Sequence, residues 1–134
     1  MNSEKQLQKT CISFLRSNQR ILFLHSPNEI TNLKQDNKSF AFRNFRYQQG
    51  VSKGVPDILI FNNNKYFHGL AIELKYKNNK PTEAQYLWLK DLEDQNWFGT
   101  WLNNFENFVF LVETYLNNPQ LLMNQINSKQ QFKK

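Results

Sequence analysis

The apolar positions near the N-terminus follow first a helical and then a strand-like pattern. Between residues 3 and 17 the apolar side chains recur at helical spacing: Leu7, Cys11, Phe14 and Leu15. This spacing predicts a helix over residues 3–17, and Ser3 followed by Gln6 makes a capping box for its start. The run Arg20–His25 is short, apolar and rich in strand formers, so it predicts a buried strand.

The next part of the chain is polar and then basic. Residues 29–39 are mostly polar and have no clear period, which predicts a loop. Residues 40–49 predict a basic helix that exposes Arg43 and Arg46, and Gly50 ends it. The aromatic residues of this segment are interleaved with the two arginines: Phe40, Phe42, Phe45 and Tyr47. We expect most of these rings to lie in a core or a dimer contact, and stacking on unpaired bases is the less favoured alternative.

Two apolar runs in the middle of the chain predict a hairpin. Asp57–Phe61 and Gly69–Lys75 read as strands, and the asparagines at 62–64 between them favour a turn. The following helix is predicted over residues 82–95, because Thr82 is a good N-cap and apolar residues recur along one side. The sequence therefore predicts a pair of neighbouring strands followed by a helix.

The C-terminal part predicts a short strand and further helix. A strand is expected near residues 100–102, a helix over 105–115 and a last helical turn within 119–126. The Gln- and Lys-rich end, from about residue 127 to 134, is expected to be flexible. At 134 residues, the chain is predicted to form one domain over 1–134, with its core at about 3–116.

Composition and charge exclude several classes of protein and indicate the kind of partner. A hydrophobic content of 40% and an aromatic content of 15% support a real core and exclude global disorder. Lys and Arg outnumber Asp and Glu by 17 to 11, giving +6, which favours a polyanionic partner such as nucleic acid. A single cysteine, Cys11, excludes an internal disulfide, and two histidines leave no structural zinc set.

The distribution of apolar residues along the chain indicates the compartment of the protein. The N-terminus lacks the apolar region of a signal peptide, and no apolar run is long enough to span a bilayer. We therefore expect an intracellular protein of the cytoplasm, nucleoid or nucleus, with no membrane partner.

The candidate chemistry lies in the predicted hairpin. Side chains two apart on a strand share a face, so Glu73 and Lys75 point one way while Ile72 and Leu74 point into the core. Pairing of the two strands would bring Asp57 beside Glu73, where the carboxylates can hold a hard divalent cation. A cation there would lower the pKa of a bound water and stabilise charge on phosphoryl oxygens, as hydrolysis of a phosphodiester requires.

Basic side chains flank these carboxylates along the chain. The candidates for phosphate binding are Lys34, Lys38, Arg43, Arg46, Lys53, Lys77 and Lys80. Such cations would offset the repulsion between an acidic site and DNA, although a run of charges is also typical of a solvated face.

An ordered set of short motifs resembles a known family. They are Glu4 with Gln8, His25-Ser26-Pro27-Asn28-Glu29, Lys53-Gly54-Val55-Pro56-Asp57, Glu73-Leu74-Lys75 and Gln85. The pattern Pro-Asp followed by Glu-x-Lys resembles the PD-(D/E)XK nuclease superfamily, and the whole set resembles its VRR-NUC family of virus-type replication-repair nucleases. Residues 76–81 depart from that family, because they lack the glycine it often has between Glu-x-Lys and the glutamine.

The resemblance implies a fold and a set of roles. The fold would be α/β: a single-domain PD-(D/E)XK restriction-endonuclease-like fold with a central mixed β-sheet flanked by helices. The implied metal ligands are Asp57, Glu73, the Leu74 backbone carbonyl and Glu4. The implied catalytic residues are Asp57, Glu73, Lys75 and Gln85. Lys75 would position or activate the attacking water, and Gln85 would organise the site from the following helix.

The resemblance also implies an activity. The family is associated with Mg²⁺- or Mn²⁺-dependent cleavage of DNA, and its small stand-alone members resemble homodimeric, structure-selective nucleases that resolve branched DNA in repair and recombination. The chain would be such an endonuclease, plausible in a virus or a mobile element. Two alternatives stay open: a non-catalytic nuclease-fold subunit for DNA binding or assembly, and a nuclease acting on RNA or single strands.

Simpler roles stay open for individual residues. Glu73 and Lys75 could form a surface ion pair, and Glu4 could be a first-turn acid favoured by the helix dipole. Gln85 stands three residues after Thr82, so it could simply complete a capping box. His25 could be a satisfied structural histidine rather than a catalytic one, and Glu29 could be solvated rather than close to the site. Cys11 is expected to be a small core residue.

Overall fold

The computed structural model describes residues 3–26 and 53–132. The predicted loop over 29–39 and the predicted basic helix over 40–49 lie outside the described residues. The helices and strands are, in chain order, α1 (Glu4–Arg16), β1 (Phe23–His25), β2 (Ile58–Ile60), β3 (Leu70–Leu74), α2 (Glu83–Asp94), β4 (Phe98–Leu102), α3 (Phe105–Asn117) and α4 (Gln120–Phe132).

The strands form one mixed sheet in the order β1-β2-β3-β4. β1 pairs with β2 and β2 with β3 in antiparallel fashion, so the predicted hairpin is confirmed. β3 and β4 are parallel, and α2 makes the crossover connection that a parallel pair needs. The register places Ile58 opposite Ile72.

The two faces of the sheet are covered by different helices. Alternate strand residues point into the main core, where they meet α1, α3 and α4: Ile58, Ile60, Leu70, Ile72 and Leu74. The predicted apolar face of α1 is confirmed, because Leu7, Cys11 and Leu15 are buried in this core. On the other face α2 packs over β3 and β4. The chain therefore has the predicted α/β fold, a mixed sheet flanked by helices.

β1 differs from its prediction as a buried strand over Arg20–His25. It is a short edge strand that begins at Phe23, and 54% of Leu24 is exposed. Phe23 packs against the core, whereas Leu24 points to the opposite face, which α2 does not cover at this edge. An apolar run does not distinguish an edge strand from a central one, because only the neighbouring elements decide which faces are covered.

The C-terminal elements are longer than predicted. β4 begins at Phe98 rather than near Thr100, and α3 continues to Asn117. α4 is a full helix rather than one turn, and it extends as far as Phe132. Leu122 is buried and Ile126 packs on the core, and no glycine or proline follows to end the helix.

None of the helices within the described ranges is both long enough and apolar enough to cross a bilayer.

Candidate active site

The candidate carboxylates face each other across the β2–β3 hairpin. Asp57 immediately precedes β2, and continuing the Ile58–Ile72 register places it opposite Glu73. Both side chains are almost completely buried. Asp57 Oδ2 accepts a hydrogen bond of 2.7 Å from the Leu74 N–H, while the Asp57 carbonyl accepts one of 2.8 Å from the Ser26 N–H. The backbone of two neighbouring strands therefore fixes this carboxylate.

Lys75 lies beside Glu73, as the period of two predicts. The Lys75 Nζ is 3.7 Å from Glu73 Oε1, and the lysine side chain is only 11% exposed. Ile72 and Leu74 point into the core on the other face. The simple reading as a solvated surface ion pair is wrong, because the Glu73 side chain is 1% exposed.

Gln85 makes hydrogen bonds both to the N-cap of α2 and to Glu73. Its Oε1 accepts from the Thr82 N–H at 2.8 Å, while Thr82 accepts from the Gln85 N–H, so the capping box of α2 is complete. At the same time its Nε2 donates to Glu73 Oε1 at 2.8 Å. One amide therefore joins the start of α2 to the carboxylate on β3.

The first helix contributes two further groups close to Asp57. Burial raises the pKa of Glu4, the nearby Lys75 lowers it, and Asp57 raises it again, so Glu4 lies within electrostatic reach of both. Burial and the Asp57 charge raise the pKa of Cys11 to about 12, which leaves the thiol protonated and inert. Cys11 is a core residue, as predicted.

The surroundings of Glu73 are those of a carboxylate that could bind a cation. Burial, followed by the Asp57 charge, raises the pKa of Glu73 to about 9, against the lowering effect of Lys75. Its Oε2 atom is buried and receives no hydrogen bond from any group in residues 3–26 and 53–132. A buried carboxylate oxygen without a donor is costly, and a divalent cation would satisfy it.

The donor set fits magnesium or manganese. Such hard ions are held by one or two carboxylates and keep several waters, so Asp57 and Glu73 suffice as side-chain ligands. The Leu74 carbonyl follows Glu73 on the same strand, and Glu4 lies near. Within residues 3–26 and 53–132, no three or more His, Cys, Asp or Glu side chains are grouped closely enough to hold an ion by themselves. Backbone and water oxygens would therefore complete the coordination.

The raised pKa of Glu73 predicts a pH dependence of stability in the absence of metal. Because the folded state holds this proton more tightly than the unfolded state, the stabilisation is present below the ordinary pKa of 4.5 and is lost as the pH rises towards about 9. We expect the Tm in EDTA to fall between pH 5 and pH 9 and Mg²⁺ to restore most of the loss. Glu73→Gln should flatten the profile, and an equally steep profile in that variant would contradict the assignment.

The segment before Asp57 packs directly on α2, a feature that sequence reasoning missed. Gly54 has a φ of +88°, and a Cβ there would lie 2.8 Å from the Ala84 carbonyl carbon and oxygen. Trp88, one turn further along α2, donates from Nε1 to the Lys53 carbonyl at 3.1 Å. The only sequence signal was the glycine itself, and its partner on α2 is visible only in three dimensions.

The remaining predicted residues lie at the periphery or outside the described residues. Three of the candidate phosphate-binding lysines are exposed: Lys53, Lys77 and Lys80. Lys77 has a φ of 55°, so it adopts the left-handed conformation in the segment that lacks the family's glycine. The other four candidates lie outside the described residues: Lys34, Lys38, Arg43 and Arg46. Glu29 also lies outside them. His25 is half-buried, and its Nε2 has no hydrogen-bond partner within the part of the chain that the structure describes.

Comparisons with known proteins identify the fold and the family of the chain. A solved structure described as a VRR_NUC domain protein matches 85% of this chain and 88% of its own, with a TM-score of 0.67 and 20% sequence identity. At that identity the likeness concerns the fold. No curated protein matches the sequence. The model of the VRR-NUC domain matches residues 2–103, which include α1, the hairpin, α2 and β4. Because that match spans most of the chain and all the site residues above, the chain belongs to the VRR-NUC family of nuclease domains.

Proposed function

We propose that the protein is a metal-dependent DNA endonuclease that hydrolyses phosphodiester bonds, with Mg²⁺ or Mn²⁺ as its cofactor. The observation that carries the proposal is the pair of buried, opposed carboxylates of Asp57 and Glu73, one of which has an unsatisfied oxygen. The Lys75 ammonium stands 3.7 Å from the same carboxylate. Family membership supports a nuclease, and these contacts favour catalysis by this chain itself.

Each residue of the site has a defined task in the proposed reaction. The Leu74 N–H holds Asp57, and Gln85 holds Glu73, so both carboxylates are oriented before substrate binds. A cation bound between them would activate a water and stabilise the charge that develops on the phosphoryl oxygens. Lys75 would hydrogen-bond the attacking water and the phosphate. Its positive charge favours the pentacoordinate, negatively charged transition state, in which the water oxygen bonds to phosphorus while the bond to the leaving oxygen breaks.

The substrate and assembly are finer proposals. We infer a preference for branched DNA and a homodimer, which would present two related sites to the two strands of a symmetric junction. The non-catalytic alternative is less favoured, because Asp57, Glu73 and Lys75 are all present, and Lys75 lies 3.7 Å from Glu73. A nuclease for RNA or single strands remains the second candidate.

The test is cleavage of a labelled four-way junction, a flap, a linear duplex and single strands of each sugar type, with Mg²⁺, Mn²⁺ or EDTA. We expect metal-dependent cutting of DNA, with the junction cut faster than the duplex. Lys75→Ala should reduce the rate by roughly a hundredfold or more, since it removes a charge that acts in the transition state. Lys90→Ala, which removes an exposed lysine on α2, is the matched control.

Three results would contradict the proposal. A Lys75→Ala variant as fast as the wild type would remove the role given to this lysine. Faster cutting of RNA would overturn the DNA assignment, and retained binding without any cutting would favour the non-catalytic subunit. Light scattering with and without DNA tests the homodimer.

A further inference from the structure

The sheet face that carries Asp57 and Glu73 has an exposed apolar surface over β1 and β2, next to the candidate site. Asp57, Leu59 and Phe61 alternate along β2 and its end, so they share the face that also carries Glu73. α2 packs over β3 and β4 on this face, and among residues 3–26 and 53–132 no helix packs over the β1–β2 half. We call this open surface the β1–β2 ledge, defined by Leu22, Leu24, Leu59 and Phe61.

The ledge is exposed and its aromatic ring is held in place. Leu22 is 67% exposed, Leu24 54% and Phe61 42%, whereas the neighbouring Ile60 is fully buried. The Phe61 ring packs edge-on against Trp97, with the ring centroids 5.7 Å apart. Trp97 in turn lies over Gly69, where a Cβ would approach the indole to 2.4 Å. A contiguous exposed patch of this kind marks a binding surface.

The charges around the ledge favour a polyanion. In the segments that form the ledge and the strand beside it, residues 17–26 and 53–74, the acidic residues are the two candidate metal ligands Asp57 and Glu73, whereas Arg20, Lys53 and Lys65 are basic. Arg20 is tied to the ledge through Asn62, which donates to the Arg20 carbonyl and accepts from the Leu22 N–H. A two-fold contact through the ledge would bring Arg20, Lys53 and Lys65 of two copies towards one another, so self-association through this particular surface is disfavoured.

We propose that the β1–β2 ledge binds unpaired nucleobases of a nucleic-acid strand whose phosphate lies at Asp57 and Glu73. Flat apolar and aromatic surfaces bind the faces of bases, which are free only where a strand is unpaired. At about 3.3 Å per strand residue, Phe61 stands about 13 Å from Asp57, a reach of a few nucleotides. The inference rests on the proposed function and adds to it the class of substrate: DNA with an unpaired segment next to the cut.

The test measures binding rather than cleavage, in EDTA. A fluorescein-labelled oligothymidylate and a duplex of equal length are titrated with the wild type and the double variant Leu22→Ser/Leu24→Ser. Loss of apolar contact with the bases is expected to weaken single-strand binding about tenfold, while duplex binding changes less than about twofold. Phe61→Leu, which keeps the apolar surface but removes the ring, should show a smaller loss for the single strand alone.

A matched control removes equal apolar surface elsewhere. Phe110→Ser/Leu121→Ser changes exposed residues of α3 and α4 and should leave both affinities unchanged. Single-strand binding that is unchanged in the ledge variant, or weakened equally for the duplex, would overturn the inference. A wild-type dimer that the ledge variant converts to a monomer would also overturn it, because a second copy would then cover the ledge.

The binding test of this inference and the cleavage test of the proposed function can succeed or fail independently. Cleavage by the wild type in Mg²⁺ decides whether the protein is a nuclease, whereas ledge-dependent binding in EDTA decides the present inference. Cutting that is independent of the ledge would overturn the inference and leave the function intact. Ledge-dependent binding without cutting would support the inference and overturn the function.

Discussion

Replacing Asp57 with asparagine is expected to abolish metal-dependent cleavage while leaving the metal-free protein at least as stable as the wild type. The amide keeps an acceptor oxygen for the Leu74 N–H, so the backbone arrangement survives. It removes a negative charge that a divalent cation needs, and a loss of several kcal/mol of transition-state stabilisation corresponds to roughly a thousandfold in rate or more. Cleavage rates in Mg²⁺ and thermal unfolding in EDTA measure the two effects.

The stability half of this prediction follows from the pKa of Glu73. The Asp57 carboxylate is the second-largest cause of the raised Glu73 pKa, so Asp57→Asn lowers that pKa towards its ordinary value. Repulsion between two buried carboxyl groups disappears, and the new amide nitrogen can donate to Glu73. Asp91→Asn, at an exposed position of α2, is the control for a surface charge change. A variant that is much less stable in EDTA would show that Asp57 serves mainly to hold the strands together.

Gly54→Ala is expected to have the largest effect on folding, a loss of about 2–4 kcal/mol, together with a large fall in activity. Alanine is strained at a φ of +88°, and its Cβ would overlap the backbone carbonyl of Ala84. Relief of that overlap requires α2 to move away from the segment that leads to Asp57. Because α2 also carries Gln85, the displacement would disturb both carboxylates, which denaturant unfolding and cleavage assays would register.

Two further variants test this explanation. Gly99→Ala adds a Cβ 3.2 Å from the Leu89 carbonyl oxygen at a strand position without positive φ, and should cost much less. Ala84→Gly should not rescue Gly54→Ala, because the closest contacts are with backbone atoms that glycine retains. Full rescue would mean that the Ala84 methyl group, rather than the backbone and φ, is responsible.

The core of the site could be predicted from the sequence because it depends on local rules. A period of two places Glu73 and Lys75 on one face, and a hairpin register brings Asp57 opposite Glu73. The N-cap of α2 was likewise visible at Thr82. Each of these features is set by residues close together in the chain or by the pairing of two adjacent strands.

The parts that could not be predicted depend on distances between elements. The exposure of Leu24 follows from how far α2 extends over the sheet, which no apolar pattern contains. The contact of Gly54 with Ala84 and the hydrogen bond from Gln85 to Glu73 both join α2 to the hairpin. Sequence reasoning offered the capping box and the catalytic role of Gln85 as alternatives, because it could not measure the gap that this side chain spans.

The double attachment of Gln85 makes the first turn of α2 and the orientation of Glu73 one cooperative unit. Helix ends fray more readily than helix centres, and here fraying would release the Thr82 N–H and Glu73 Oε1 in the same event. The opening free energy of this single turn therefore sets the fraction of molecules whose site is assembled. Amide hydrogen exchange at the start of α2 would report on the readiness of a carboxylate that lies on a different element.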